Sequence, residues 1–143
     1  GSDHGGFALK EAVKKHLEAK GIEVEDFGCY SMESVDYAVY GAKVAHCVAD
    51  GKADYGVLVC STGIGISMAA NKVKGIRAAL CSDTHAAEMT RRHNNANILC
   101  LGGLVTEEKT ALEIVDTFLK FDFEGGRHQR RIDQIADIEN GRL

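Results

Sequence analysis

What this sequence lacks narrows its possible functions before any motif is considered. It has no apolar run near the ~20 residues that a membrane-spanning helix needs, and its net charge of −4 comes with no basic tract. Its first residues show no pattern typical of a secretory signal. We therefore expect a cytoplasmic protein that binds neither nucleic acid nor a membrane surface.

Proline is also absent, although it averages about 5% of residues in proteins. No C-x-x-C pair occurs among the five cysteines. An odd number without such a pair argues against a disulfide framework and favours reduced thiols. We interpret all but Cys60 as small buried apolar side chains; these are Cys29, Cys47, Cys81 and Cys100.

Short apolar runs alternate with segments of helical periodicity. The apolar runs are too continuous to have a solvated face, which is typical of parallel strands covered on both sides. The predicted strands are 22–27, 56–60, 76–81 and 98–101, and the predicted helices are 7–20, 37–50, 64–72, 84–92, 107–121 and 128–140. We predict a single α/β domain over 1–143, with a three-layer α/β/α, Rossmann-like architecture around a five-stranded parallel sheet.

The polar, glycine-rich start of the chain at Asp3 is typical of a loop that follows a strand. The fifth strand, first in order, is therefore expected to be missing from this sequence. In open α/β sheets, ligands bind beyond the carboxyl ends of the strands. That rule selects the loop at 3–6, the loop at 60–65, and the loops after Cys81 and Leu101.

The loop that begins at Cys60 joins a buried strand to a helix. Its glycines and small hydroxyl residues allow a tight turn whose N–H groups face the crevice, and a helix start attracts anions. The same field would activate a thiol at this position. On these residues alone, a simple turn that ends a core strand remains an equal alternative.

Two other polar segments are candidates for chemistry. His93 and Asn94 precede a strand, where a histidine can act as an acid or base near neutral pH, although ordinary turn chemistry also explains them. Arg127 and Arg131 are four residues apart, share one helix face and suit a phosphate group. No metal site is predicted: the four other histidines have no ligand spacing with carboxylates or thiols, and we interpret them as surface or packing residues; these are His16, His46, His85 and His128.

Together these segments resemble the type B ribose-5-phosphate isomerases and the related galactose-6-phosphate isomerase subunits. The matching stretches are SDHGGF at 2–7, ESVDY at 33–37, CSTGIGIS at 60–67, NKVKGIRAAL at 71–80, RRHNNANIL at 91–99 and EGGRHQRRI at 124–132. They follow the family's order and span nearly the whole chain. The combination is specific, although each stretch alone is weak.

The resemblance implies an aldose–ketose isomerase of the pentose phosphate pathway that needs no metal or cofactor. It implies that Cys60 is the base between C1 and C2 and that His93 opens the sugar ring. Asp3 is implied to contact the sugar, Asn94 to bind one of its hydroxyl groups, and Tyr37 to form a wall of the pocket. The implied anion hole consists of Ser61, Thr62, Gly63, Ile64 and Gly65, and Thr62 also contacts the substrate. The implied phosphate clamp consists of His4, Arg127 and Arg131.

The family also implies a homodimer, because its equivalents of His93 and Asn94 reach the site from the other subunit; whether dimers pair into tetramers stays open.

Three positions depart from the family pattern: Ser61 replaces a glycine, Leu104 an arginine and Ala38 a proline. Alternative substrates are allose 6-phosphate, galactose 6-phosphate or a rare sugar. Alternatives of other classes are a non-catalytic sugar-phosphate binding protein and a thiol redox protein.

Overall fold

The computed structural model describes residues 1–143. After a 3-10 turn at His4–Gly6, the chain alternates helices and strands. The elements are α1 (Phe7–Ala19), α2 (Tyr37–Ala49), β1 (Gly56–Cys60), α3 (Ile64–Ala70), β2 (Ala78–Leu80), α4 (Thr84–Asn94), β3 (Ile98–Gly102), α5 (Glu108–Lys120) and α6 (Arg127–Glu139). The predicted alternation of helices and strands is confirmed.

The three strands form a parallel sheet in the order β1-β3-β2. Side chains alternate between its two faces, because successive residues of a strand point to opposite sides. Val59, Leu99 and Leu101 pack with α1, α4 and α5, whereas Leu58, Ile98 and Cys100 pack with α2 and α3. The predicted α/β fold with a parallel sheet between two helical layers is therefore confirmed.

The prediction of five strands is wrong: the sheet has three. Residues 22–27 have the composition of a strand, but they do not form one. Strands require a neighbour that pairs with their backbone groups, and residues 22–27 instead border a cavity of about 340 Å³ that Val57 of β1 also lines.

Only short backbone pairings extend the sheet beyond β1. Ser2 forms an isolated parallel bridge with Val59, and on its other side it exchanges hydrogen bonds with Gly28 and Cys29. These few bonds fix residues 1–3 alongside β1 and so place Asp3 and His4 at its carboxyl end. None of the helices combines the length and the hydropathy that a membrane crossing requires.

Candidate active site

Cys60 is the last residue of β1, and its side chain is only slightly exposed, at 5%. The chain turns at Gly63, where φ is +80°, and α3 begins at the next residue. The turn brings the N–H of Gly63 to 3.1 Å from the Cys60 sulfur, to which it donates a hydrogen bond. A donor at this distance is placed to stabilise negative charge on the sulfur.

The loop at 3–6 packs directly against the Cys60 loop. A side chain on Gly5 would collide with the Ser61 hydroxyl, and one on Gly6 would collide with the backbone of Val59. Asp3 is buried and accepts a hydrogen bond from the Gly6 N–H at 3.1 Å. The close approach of the two loops therefore depends on glycine at both positions.

His4 has a defined protonation pattern. Its Nδ1 atom accepts a hydrogen bond from the N–H of Val35 at 3.1 Å. A nitrogen that accepts carries no proton, so the imidazole keeps its proton on Nε2. His4 can therefore donate from Nε2 to an oxygen of a ligand.

Two further segments close the crevice around the Cys60 loop. The Tyr37 ring lies over Gly65, where an added Cβ would come within 2.6 Å of it. On the other side, the N–H groups of Gly103 and Leu104 donate to the carbonyls of Cys60 and Ser61. Most of the predicted site residues thus gather at the carboxyl edge of the sheet; these are Asp3, His4, Tyr37, Ser61, Thr62, Gly63, Ile64 and Gly65, together with Cys60.

The other predicted site residues form a second cluster. His93 and Asn94 end α4, while Arg127 and Arg131 lie exposed on the first turns of α6. The ring of His128 stacks on the ring of His93 with centroids 4.1 Å apart. His128 is buried in this contact, but the sequence does not mark it as a neighbour of His93, because the packing of α6 against α4 leaves no periodic signal.

The two clusters lie at opposite edges of the sheet within one chain. Helix α4 leaves the carboxyl end of β2 and returns to the amino end of β3, so its eleven residues carry the chain back over about 16 Å. Near its end, Arg91 donates to the hydroxyl of Tyr55, which directly precedes β1. The carbonyls of Asn94 and Asn95 also accept hydrogen bonds from Arg77, which directly precedes β2. The end of α4, with His93, therefore lies at the amino edge of the sheet, whereas Cys60 lies at the carboxyl edge.

Cys81 and Cys100 lie in the core near Cys60, but they are unsuited to act as bases. Burial, reinforced by Asp83, raises the pKa of the Cys81 thiol to about 11. Burial also raises the pKa of the Cys100 thiol, and the nearby cysteines add to that effect. Both thiols stay protonated at neutral pH. Of the three cysteines, Cys60 is the one at the start of the crevice loop, where the Gly63 N–H contacts its sulfur.

Glu124 joins the two stacked histidines, with potential ligand atoms of all three within 4.8 Å of one another. The set has the composition of a zinc site, but its geometry does not fit one. A metal lies in the plane of each imidazole that binds it, and the two ring planes are stacked and only 11° apart. In addition, Arg92 already donates to Glu124 at 2.7 Å.

The comparisons with known proteins agree with this architecture. The family model described as Ribose/Galactose Isomerase matches residues 1–135. Ribose-5-phosphate isomerase B of Escherichia coli strain K12 is 47% identical over 142 residues, which cover 99% of this chain and 95% of that protein.

The solved structures that are similar over nearly the full chain include two ribose-5-phosphate isomerases B. The ribose-5-phosphate isomerase B of Clostridium thermocellum has a TM-score of 0.98 at 52% identity and covers 100% of this chain and 97% of its own. The enzyme of Mycoplasma genitalium, solved with bound ribulose-5-phosphate, has a TM-score of 0.93 at 45% identity, covering 97% of this chain and 93% of its own. By sequence and by fold, this chain belongs to the ribose/galactose isomerase family.

Proposed function

We propose that this protein interconverts ribose 5-phosphate and ribulose 5-phosphate as an aldose–ketose isomerase. The observation that carries the proposal is the Cys60 thiol at the end of β1, with the N–H of Gly63 bonded to its sulfur. The relatives named as ribose-5-phosphate isomerases support the same substrate. The reaction moves one proton between neighbouring carbons and leaves the redox state of the sugar as a whole unchanged.

In the proposed mechanism, His93 first opens the furanose ring by transferring protons at the ring oxygen and the anomeric hydroxyl. The Cys60 thiolate then removes the proton from C2 of the open aldose, and the electron pair of that C–H bond forms the enediolate. Cys60 returns the proton to C1, while a proton passes from O2 to O1. The N–H groups of Ser61, Thr62 and Gly65, with the Thr62 hydroxyl, stabilise the enediolate charge.

The phosphate is proposed to bind between His4, which offers its Nε2 proton, and the guanidinium groups of Arg127 and Arg131. Leu104 cannot replace the arginine that the family pattern has at its position. Its side chain is 74% exposed at the rim of the crevice, where it offers only an apolar contact. This departure keeps allose 6-phosphate, galactose 6-phosphate and rare sugars as alternative substrates.

We further propose that the active unit is a homodimer in the cytoplasm. Within one chain, Cys60 and His93 lie at opposite edges of the sheet, so a complete site requires the His93 cluster of a second copy. The surface around the crevice suits such a contact, because it exposes apolar side chains that a partner would bury. These are Ile64, Met68, Leu80, Leu104 and Val105.

The proposal is tested by measuring product formation from ribose 5-phosphate, allose 6-phosphate and galactose 6-phosphate, with EDTA present. We expect ribose 5-phosphate to have the highest kcat/KM and EDTA to leave it unchanged. A higher kcat/KM for a six-carbon sugar phosphate would mean that this sugar is the substrate and that the type of reaction is as proposed. Binding of all three without turnover of any would instead favour a non-catalytic sugar-phosphate binding protein.

A further inference from the structure

The His93 ring is held on two sides by residues to which the sequence resemblance assigns no role. The imidazole of His128 stacks on one face, with centroids 4.1 Å apart and planes within 11°. The carboxylate of Glu124 lies 3.7 Å from His93 Nε2. A histidine on a helix end is otherwise free to rotate about χ1 and χ2, so these contacts restrict its orientation.

Glu124 is itself fixed in place. Arg92 donates to its carboxylate at 2.7 Å, and the same guanidinium donates to Glu88 at 2.7 Å. The backbone N–H of Glu124 also donates to the Arg92 carbonyl. A carboxylate held by its own backbone and by an arginine offers a defined electrostatic partner to the neighbouring imidazole.

His128 is buried on a helix turn that is otherwise solvated. Its exposed fraction is 8%, whereas its helix neighbours Arg127, Gln129, Arg130 and Arg131 are all exposed. Burial, together with the charges of His93, Arg127 and Arg131, lowers the pKa of His128, and Glu124 only partly opposes that effect. His128 is therefore a neutral aromatic surface at neutral pH, and it can stack on His93 without adding a positive charge.

We propose that Glu124 and His128 are positioning residues for His93, which they hold in the orientation that opens the sugar ring. The inference rests on the proposed function, because it assigns ring opening to His93. The Glu124 carboxylate orients the Nε2 side of the ring electrostatically, while the stack with His128 fixes the ring plane. Neither residue is needed for the proton transfer between C1 and C2, which belongs to Cys60.

The two steps can be measured separately. Ribose 5-phosphate is mostly a furanose and must be opened, whereas ribulose 5-phosphate is acyclic, because its phosphorylated O5 cannot close a ring on C2. Turnover of ribose 5-phosphate therefore requires ring opening as well as the proton transfer between C1 and C2. Exchange of the C1 proton of ribulose 5-phosphate with solvent deuterium reports the carbon base alone.

We expect His128→Ala to lower kcat/KM for ribose 5-phosphate about tenfold or more and to change the deuterium exchange less than about twofold. His128→Phe keeps a flat aromatic ring and is expected to restore most of the ribose 5-phosphate turnover. Glu124→Gln removes the negative charge 3.7 Å from His93 Nε2. We expect it to lower ribose 5-phosphate turnover about threefold and to leave the deuterium exchange unchanged.

Equal losses in turnover and exchange for His128→Ala, without recovery in His128→Phe, would overturn the positioning role in favour of a structural one. So would unchanged ribose 5-phosphate turnover in both Glu124→Gln and His128→Ala. If His128→Ala does not fold, His128→Phe and Glu124→Gln still decide the question. If only the positioning role is wrong, the parent protein is active and Cys60→Ala is inactive in both assays. If the proposed function is wrong, the parent protein itself is inactive.

Discussion

Replacing Cys60 by alanine is expected to lower kcat for ribose 5-phosphate by about a thousandfold or more, because the reaction loses the group that removes the proton from carbon. The deuterium exchange at C1 of ribulose 5-phosphate should fall by the same factor. KM should change little, since the sugar and phosphate contacts proposed above do not involve the thiol. Initial rates at saturating substrate are the measurement.

The matched control for Cys60→Ala is Cys47→Ala. Cys47 is also buried, but it lies on α2 and lines the cavity beside residues 22–27, away from the crevice. We expect its rate to stay within about threefold of the parent, although its stability should fall by about 1 kcal/mol. A loss of less than tenfold in a folded Cys60→Ala protein would mean that another group is the base.

The second large effect is expected at Gly63. The residue has φ of +80°, and an added Cβ would meet the backbone of Leu101 at 2.9 Å as well as the Leu80 side chain. Gly63→Ala should therefore displace the turn whose N–H donates to the Cys60 sulfur. We expect kcat to fall about a hundredfold, because the displaced turn removes the donor that stabilises the thiolate and moves the loop N–H groups that face the enediolate.

Gly51→Ala separates this effect from backbone strain alone. Gly51 has φ of +74°, but nothing lies within 4 Å of the position that its Cβ would take. Both variants should lose about 1–2 kcal/mol for the positive φ, and only Gly63→Ala should lose activity. The comparison requires thermal unfolding and initial rates for both proteins. Similar activity of Gly63→Ala and Gly51→Ala would mean that the Gly63 N–H has no role in the mechanism.

The α/β architecture was predictable because its signal is local. A run such as 56–60 is apolar at every position, and a strand of this kind requires cover on both faces. The strand predicted at 22–27 shows the limit of that reasoning. Its apolar residues alternate with acidic ones, a pattern that also suits a strand, but a strand exists only when a neighbour pairs with it, and pairing depends on the rest of the chain.

The candidate site was predictable to different degrees. The rule that ligands bind beyond the carboxyl ends of strands selected the loops at 3–6 and 60–65, and the structure brings them into contact. The contacts of Glu124 and His128 with His93 could not be predicted. They depend on the direction in which the chain leaves Gly125 and Gly126, both with positive φ, and no pattern in the sequence specifies that direction.

In the proposed homodimer, each active site combines Cys60 of one copy with His93 of the other. The decisive measurement is the ribose 5-phosphate turnover of a mixture of Cys60→Ala and His93→Asn that have been unfolded and refolded together. Each variant alone should be inactive, but half of the randomly formed dimers would contain one intact site, so the mixture should regain about a quarter of the parent activity. A mixture as inactive as its components would contradict the shared site.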